Sequence, residues 1–382
     1  MVSRRQFLKF AATGAGSLLV APRIVFANAA TDRRFVFIIQ RGAADGLNIV
    51  IPYADPGYAR LRGSLAIHPE EATKLDGTFA LHPSLSELAD FYRQKQALFV
   101  HAVASPYRER SHFDGQNVLE TGGANAYQLK DGWLNRLVTL LPQSHGKAIA
   151  FAPTIPAALR GAAEVMSFAP SNLANAPEDL LTRVTQLYEA DPAFHPVWSA
   201  ALEARGYLDK SDTQRDPASV GRSAAQALNR KNGPRIAMIE TSGWDTHSGE
   251  NRRLANQLRA LDTIVGALKD GLGDIWKNTT VIVATEFGRT VAVNGTGGTD
   301  HGTAATALVL GGAVTGGRIL SDWPGLAESA LYEGRDLRST MDLDALIATV
   351  AAETFKLDPE LTMRTLFPGR SYDRTLHGLV GI

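Results

Sequence analysis

Runs of consecutive apolar residues, each about the length of a β-strand, recur along the chain. They are rich in β-branched and aromatic side chains and cover residues 34–40, 97–103, 147–153, 235–240, 279–286 and 306–312. Continuous apolar runs, as opposed to strict alternation with polar residues, predict strands that are buried on both faces. Such burial is typical of a parallel sheet.

The segments between these runs repeat apolar residues at the spacing of amphipathic helices. They cover residues 84–95, 134–141, 177–190, 250–272 and 340–355. This alternation predicts an α/β fold with a mostly parallel central sheet and helices on both faces. The pattern of residues 154–234 is mostly helical and predicts a helical insertion. We interpret this insertion as a cap on a single domain of residues 30–382.

The first 29 residues differ from the globular remainder. Arg4 and Arg5 precede a mild apolar stretch at 10–21 that is too short to span a bilayer as a helix, and small residues at 27–29 follow. These features resemble a twin-arginine signal peptide in residues 1–29. We therefore expect the twin-arginine translocase as a partner, a periplasmic or secreted location, and no stable membrane span after cleavage. The alternative is a basic amphipathic N-terminus that stays in the cell.

Charge and cysteine content narrow the function. The 382 residues carry 39 basic and 39 acidic side chains, and the sequence pI is about 7.2. Such a balanced chain has no overall field to attract nucleic acid, which we exclude as a partner. The sequence contains no cysteine. Any metal ion must therefore bind to Asp, Glu, His or hydroxyl groups.

Glycines and charged residues are concentrated directly after the predicted strands. The loops concerned are "RGAADGLN", "SPYRERSHFDGQ", "TSGWDTHSGE" and "TEFGRTVAVNGTGGTDHG", which begin at Arg41, Ser105, Thr241 and Thr285. In open α/β sheets, ligands bind where the carboxyl ends of the strands share one edge. We therefore expect the functional site at this edge.

Two of these loops supply candidate metal ligands. Asp245 and His247 stand two residues apart, and such side chains point to the same side of an extended loop. Glycines on either side of Asp300 and His301 let the backbone approach a ligand, so His301 is the third candidate. Alternatively, Asp245 caps the helix that starts near Glu250, and His301 is a solvated surface side chain.

Two more carboxylates are candidate metal ligands. Glu286 ends a buried run, where an unpaired carboxylate is costly, so it needs either a metal ion or an ion pair with Arg289. Asp45 lies in a glycine-bounded loop after the first predicted strand. The alternative for Asp45 is a plain Asp-Gly turn.

Ser111 and His112 precede a predicted helix. A hydroxyl at a helix N-terminus can be a nucleophile beside an anion site, but an ordinary N-cap is the interpretation that we favour for Ser111. His112 is a candidate acid/base, and Arg41 and Arg289 are candidates for binding an anion. The sequence contains no G-x-S-x-G elbow, Walker lysine or G-x-G-x-x-G helix start, so α/β-hydrolase and nucleotide-binding functions lack support.

The loop motifs resemble a known family over nearly the whole chain. "RGAADGLN", "RSHFDGQ", "TSGWDTH", "TEFGRT" and "GTDHG" are similar to the exported bacterial family called domain of unknown function 1501. That family resembles in turn the alkaline phosphatase and sulfatase superfamily, whose α/β sheet carries divalent metal ions at its strand ends. The resemblance implies an alkaline phosphatase-like fold, with site positions at Asp45, Ser111, Asp245, His247, Glu286 and His301.

The resemblance also implies an activity. We expect a metal-dependent hydrolase or transferase that acts on phosphate or sulfate esters, with zinc, manganese, magnesium or calcium as the divalent ion. Glu286 is followed by Phe287 where the superfamily has an Asp-His pair, so one imidazole of a second metal site is missing. This departure favours the alternative, a non-catalytic periplasmic binding or assembly protein. A third hypothesis is a carbohydrate-binding surface protein that stacks a glycan on Trp244 and Trp323, although lone tryptophans are more often core residues. The expected small-molecule partner is therefore an anionic ester or a glycan.

Overall fold

The computed structural model describes residues 32–142, 147–169, 178–206 and 216–381, and the predicted signal peptide lies outside these ranges. The strands in the described residues are β1 (Arg34–Arg41), β2 (Val50–Ile51), β3 (Thr73–Lys74), β4 (Ala80–Leu81), β5 (Ala97–Ala104), β6 (Ala148–Phe151), β7 (Val165–Phe168), β8 (Ile236–Ser242), β9 (Thr279–Ala284), β10 (Ala305–Leu310), β11 (Arg318–Leu320) and β12 (Met341–Asp342).

The helices in the same residues are α1 (Gly46–Ile49), α2 (Pro56–Arg62), α3 (Ser86–Arg93), α4 (His112–Thr121), α5 (Trp133–Thr139), α6 (Glu178–Tyr188), α7 (Phe194–Gly206), α8 (Pro217–Asn229), α9 (Glu250–Leu272), α10 (Leu343–Phe355) and α11 (Pro359–Leu366). The six predicted strands correspond to β1, β5, β6, β8, β9 and β10. The five predicted helices correspond to α3, α5, α6, α9 and α10.

Three of the helices begin at an Asp-Pro pair. Asp55 caps α2, Asp216 caps α8 and Asp358 caps α11, each through a carboxylate oxygen that accepts a hydrogen bond from a backbone N–H in the first turn. Proline fits the first helical position because its fixed φ is already helical and no N–H is lost there. Local sequence therefore sets where these helices start.

The main sheet has the strand order β11-β5-β10-β9-β1-β8-β6-β7, and β12 also pairs with β5. The pairs from β9 to β7 are parallel. Strand β10 is antiparallel to both of its neighbours, β5 and β9. The N-terminal end of β10 therefore lies at the same edge as the carboxyl ends of β1, β5, β8 and β9.

Hydrophobic clusters cover both faces of the sheet. Along β1, the side chains of Val36 and Ile38 join the cluster that contains α8 and α9. Phe35, Phe37 and Ile39 join the opposite cluster, which contains α5 and α10. Burial of each such side chain stabilises the fold by roughly 1.5–3 kcal/mol relative to exposure. This burial of both faces explains the continuous apolar runs, and the predicted fold class is confirmed.

The predicted insertion, residues 154–234, contributes to the main sheet and its core. Within it, β7 pairs in parallel with β6 at the edge of the sheet, α7 contacts β7, and α8 packs against α9. The division of the chain into a domain and a cap stays a prediction. Among the helices in the described ranges, none is both long and apolar enough to cross a membrane.

Candidate metal centre

The loops at the shared edge of the sheet bring three histidines and one aspartate together. Ligand atoms of His112, Asp245 and His301 all lie within 4.8 Å of one another. His247 Nε2 lies 3.0 Å from His301 Nε2 and 3.0 Å from Asp245 Oδ1. These four residues, which we call the histidine–aspartate cluster, come from α4, from the loop after β8 and from the loop before β10.

The direction of β10 explains how His301 reaches the cluster. The chain leaves the sheet after β9 and returns to the same edge before β10, because the two strands are antiparallel. Arg289 and His301 form an isolated antiparallel bridge at the base of this excursion. The loop between β9 and β10 thus places His301 beside Asp245 and His247, as predicted for those three residues.

The second ring nitrogen of each histidine is held by a different acceptor. His112 Nδ1 lies 2.8 Å from Glu286 Oε1, His247 Nδ1 lies 3.1 Å from Asp300 Oδ1, and His301 Nδ1 lies 2.8 Å from the backbone oxygen of Arg110. Such contacts fix the tautomer and the orientation of a ring. They turn the three Nε2 atoms toward the interior of the cluster.

Glu286 lies behind His112 in a buried position. Besides the histidine, its carboxylate accepts hydrogen bonds from Gly42 N at 2.9 Å, Gln116 Nε2 at 3.0 Å and Thr285 Oγ1 at 2.9 Å. Burial opposes ionisation, but these hydrogen bonds, that of His112 foremost, lower the pKa of Glu286. The structure thus gives Glu286 several partners, and Arg289 is not among those described.

The electrostatics of His112 and His301 differ. The hydrogen bond to Glu286 is the main cause that raises the pKa of His112. Burial, together with the nearby charge of His112, lowers the pKa of His301. Without a cation, His112 is therefore the ring of this pair that holds a proton more strongly.

Arg289 is buried and supports Asp245. Its Nη1 donates to Asp245 Oδ1 at 2.8 Å, its Nε donates to Thr299 Oγ1 at 3.1 Å, and its Nη2 donates to the Thr299 backbone oxygen. Partial burial opposes ionisation of Asp245, but the hydrogen bond and charge of Arg289 lower the pKa of that carboxyl. Arg289 thus keeps Asp245 ionised and oriented toward the histidines.

Two predicted site residues are engaged elsewhere. Arg41 donates from Nη1 to Glu120 at 2.7 Å and from Nε to Glu240 at 3.0 Å. Asp45 is buried in an ion pair with Arg62. The structure thus brings neither Arg41 nor Asp45 into the histidine–aspartate cluster. Arg41 Nη1 also donates to Gln116 Oε1 at 2.9 Å.

Ser111 occupies the N-cap position of the ten-residue helix α4, directly before His112. Its hydroxyl forms no capping hydrogen bond with the described residues, whereas its backbone N–H donates to Tyr107 Oη at 3.0 Å. Ser111 therefore stands at the cap position, as predicted, but its side chain does not cap the helix. Ser111 directly precedes His112 of the cluster in the chain.

Arg110 has a role that its sequence motif does not predict. Its backbone oxygen anchors His301, and its φ of 61° lies in the left-handed region, which is sterically disfavoured for a side chain of this size. Residues held in such conformations concentrate at functional sites. The motif "RERSHFDGQ" contains Arg110 but gives no sign of this backbone conformation.

The donor set fits a transition-metal ion. His112 Nε2 is buried and forms no close hydrogen bond with the described residues, and it lies 3.5 Å from Asp245 Oδ2. Two imidazole Nε2 atoms at 3.0 Å, those of His247 and His301, cannot both be neutral acceptors unless a proton or a cation lies between them. Three nitrogens and one carboxylate suit zinc and similar ions, whereas magnesium and calcium prefer oxygen ligands.

The fold and this site define an α/β protein with a candidate metal centre at the edge where strand ends of a mixed sheet meet. The chain belongs to the family described as "Protein of unknown function (DUF1501)", whose model matches residues 32–366. The family predicted from the loop motifs is therefore confirmed. No curated protein matches the sequence.

Several solved structures are similar to the chain at low identity. The phosphoglycerol transferase GacH of Streptococcus pyogenes, in complex with sn-glycerol-1-phosphate, shares 9% identity at a TM-score of 0.42, over 95% of this chain and 86% of that one. A protein of the alkaline phosphatase superfamily from Vibrio parahaemolyticus shares 13% at 0.38, over 74% and 62%. The periplasmic domain of EptC from Escherichia coli, in complex with zinc, shares 9% at 0.36, over 74% of each chain.

Proposed function

We propose that the protein is a metal-dependent hydrolase or transferase that acts on phosphate or sulfate esters. The observation that carries this proposal is the convergence of three Nε2 atoms on Asp245, at 3.0–3.5 Å from its carboxylate oxygens. The opposite nitrogen of each ring is held by an acceptor. Preorganised nitrogen donors of this kind are typical of metal centres. His112 is then a ligand, in place of the acid/base role predicted for it.

In this proposal, four residues are metal ligands and one is the nucleophile. His112, Asp245, His247 and His301 would hold the ion. When bound, the ion would polarise the ester oxygen and lower the pKa of a hydroxyl or water nucleophile. Ser111 presents its hydroxyl at the N-terminus of α4, where backbone N–H groups favour an anion. We assign the nucleophile to Ser111.

Turnover of aryl phosphate and aryl sulfate esters by the metal-loaded mature protein tests this function. Asp245→Asn should lower both bound metal and turnover, whereas Ser111→Ala should lower turnover and retain the metal. The exposed His195, which lies on α7 far along the chain from the cluster motifs, provides the control variant His195→Ala. Metal binding without turnover of any such ester would contradict the proposal.

The non-catalytic alternative also has a specific observation in its favour. Arg41 and Arg289, the residues predicted to bind an anion, direct their guanidinium groups at protein acceptors. In addition, the ring of Phe287 packs beside those of His112 and His301, at 5.1 and 5.3 Å between centroids. Bound metal with full stability but no turnover would favour a binding or assembly protein.

Export is part of the same proposal. It rests on Arg4, Arg5 and the small residues at 27–29, all outside the described ranges. Changing Arg4 and Arg5 together to Lys should leave uncleaved precursor in the cytoplasm, because a twin-arginine signal depends on that pair. Normal cleavage and periplasmic recovery of the double variant would contradict this assignment.

A further inference from the structure

Four charged side chains meet next to the cluster, where a tight turn at 332–336 contacts Arg110. Tyr332 and Asp336 close the turn with backbone hydrogen bonds of 2.8 and 3.0 Å. Asp336 is fully buried and divides its carboxylate between two arginines. Its Oδ2 accepts from Arg110 Nε at 2.9 Å, and its Oδ1 accepts from Arg335 Nε at 2.8 Å.

Two arginines pair with one aspartate here, so one positive charge is not balanced by Asp336. Arg110 and Arg335, which we call the arginine pair, share the single buried charge of Asp336. Glu333 supplies the balancing charge from the solvent side, with Oε2 at 2.5 Å from Arg110 Nη2 and a side chain that is 56% exposed. An exposed ion pair of this kind contributes little to stability and is easily broken.

The arginine pair is attached to the cluster itself. The backbone oxygen of Arg110 accepts from His301 Nδ1 at 2.8 Å, and Arg335 Nη2 donates to the backbone oxygen of His301. Ser111 and His112 directly follow Arg110 in the chain. The arginine pair is thus joined to the backbone of the segments that carry His301 and His112.

The backbone of Glu333 has a conformation that is unfavourable for glutamate. Its φ is 54°, and Gly334 follows with a φ of 64°. Turns with two positive φ angles favour Asn, Asp or Gly at the first of these positions, and glutamate is sterically disfavoured there. The contact of its carboxylate with Arg110 is the interaction that this residue gains.

We propose that the arginine pair binds the anionic group of the substrate, and that Glu333 occupies Arg110 until a phosphate or sulfate group displaces it. This inference rests on the proposed function and names the residues that take over the anion-binding role predicted for Arg41 and Arg289. The Nη1 groups of Arg110 and Arg335 have no partner among the described residues. They supply the fork of donors that tetrahedral oxyanions prefer.

Calorimetric titration of the metal-loaded protein with inorganic phosphate tests the proposal, and inorganic sulfate in a parallel titration distinguishes the two anions. Glu333→Gln removes the competing carboxylate and should tighten binding of at least one anion by about threefold to tenfold. Arg110→Gln should weaken the same binding by about tenfold or more. Glu328→Gln, an exposed carboxylate on the same stretch of chain, is the matched control and should change nothing.

Metal content is measured in every variant, so that a lost ion is not mistaken for a lost arginine contact. Unchanged anion affinity in Glu333→Gln would overturn the proposal, and so would the absence of phosphate and sulfate binding in the parent. Because Glu333 is exposed, its variant tests the proposal even if Arg110→Gln fails to fold.

The two proposals fail in different ways. If anion binding changes as expected in Glu333→Gln and Arg110→Gln but the parent hydrolyses no ester, the arginine pair is an anion site and the enzymatic function is contradicted. If Arg110→Gln hydrolyses esters with an unchanged KM, the enzymatic function is supported and the arginine pair does not bind the substrate.

Discussion

At the scale of single residues, the buried Glu286 determines how His112 faces the cluster. Its Oε1 lies 2.8 Å from His112 Nδ1 and also accepts from Gly42 N and Gln116 Nε2. A carboxylate in this position raises the basicity of a metal-binding imidazole and fixes its orientation. Under the proposed function, Glu286 is thus a positioning residue for His112.

Glu286→Gln should weaken metal affinity by about tenfold to a hundredfold, the usual effect of losing such a partner. The amide keeps the shape of the side chain but cannot supply the negative charge that stabilises the His112 proton or a bound cation. Competition with a chromogenic chelator measures the affinity. Glu240→Gln, which changes a partly exposed partner of Arg41 instead, should leave affinity unchanged.

Local spacing was enough to predict that Asp245, His247 and His301 come together, because each stands in a short glycine-rich motif at a strand end. Their role as metal ligands stays a prediction. His112 was predicted as an acid/base, and the structure places its ring beside Asp245 and His301. The partners of Arg41, Asp45 and Arg289 were not predictable. Their ion pairs depend on which residues the tertiary fold brings close, and the sequence spacing of those residues carries no signal.

At the scale of elements, the sequence predicted β10 but not its direction. All six residues of β10 are buried, so the strand is covered on both faces. A strand buried in this way has the same apolar pattern whether it runs parallel or antiparallel to its neighbours. The edge strands β11 and β12 were missed because they have only three and two residues. Strand β7 has the same length as β6, but it lies at the edge of the sheet and is mostly half-buried, so it lacks a continuous apolar run. The loop from β9 to β10 needs glycine where it packs closely against the loop after β8, and this close contact is visible only in the folded structure.

Gly298→Ala should disrupt the site. A Cβ at this position would lie 2.3 Å from the Thr246 backbone oxygen and 2.4 Å from the His247 carbonyl carbon, so the two loops must separate. We expect a loss of about 1–3 kcal/mol in unfolding free energy, as for other overpacked positions, and weaker metal binding.

Gly295→Ala in the same loop is the matched control, because its Cβ would meet no described atom within 4 Å. Thermal unfolding and metal titration of both variants check the prediction. Equal behaviour of the two variants would show that close approach of the loops does not require glycine at 298.

At the scale of the whole molecule, bound metal should stabilise the folded chain. When free metal exceeds its dissociation constant several-hundredfold, the gain is on the order of 3–4 kcal/mol. His301→Ala should reduce bound metal and lower the melting temperature, and excess metal should restore only part of the loss. Equal melting temperatures of the parent with and without a chelator would contradict a metal centre.

Acid should destabilise the protein through His101, a buried residue of β5 that is not part of the cluster. Burial lowers the pKa of His101 from 6.5 to about 4. Below pH 6.5 the unfolded chain therefore takes up a proton that the folded chain refuses, and stability falls toward pH 4. The contribution of His101 reaches about 3 kcal/mol by pH 4.

His101→Gln keeps a donor for the backbone oxygen of Val50 and removes the titration. Urea unfolding between pH 7 and pH 4.5, with a chelator present, should show a shallower loss of stability in this variant. Parallel pH profiles of parent and variant would exclude His101 as the cause.

The strand order has a consequence for the time at which the site can form. Strand β1 lies between β8 and β9, so that Phe35 pairs with Ile236 on one side and Thr280 on the other. The centre of the sheet therefore cannot assemble until the ribosome has made the C-terminal half of the chain. Contacts between such distant residues slow folding. In the proposed metal centre, His112, Asp245 and His301 can therefore come together only after the chain has been made as far as β10.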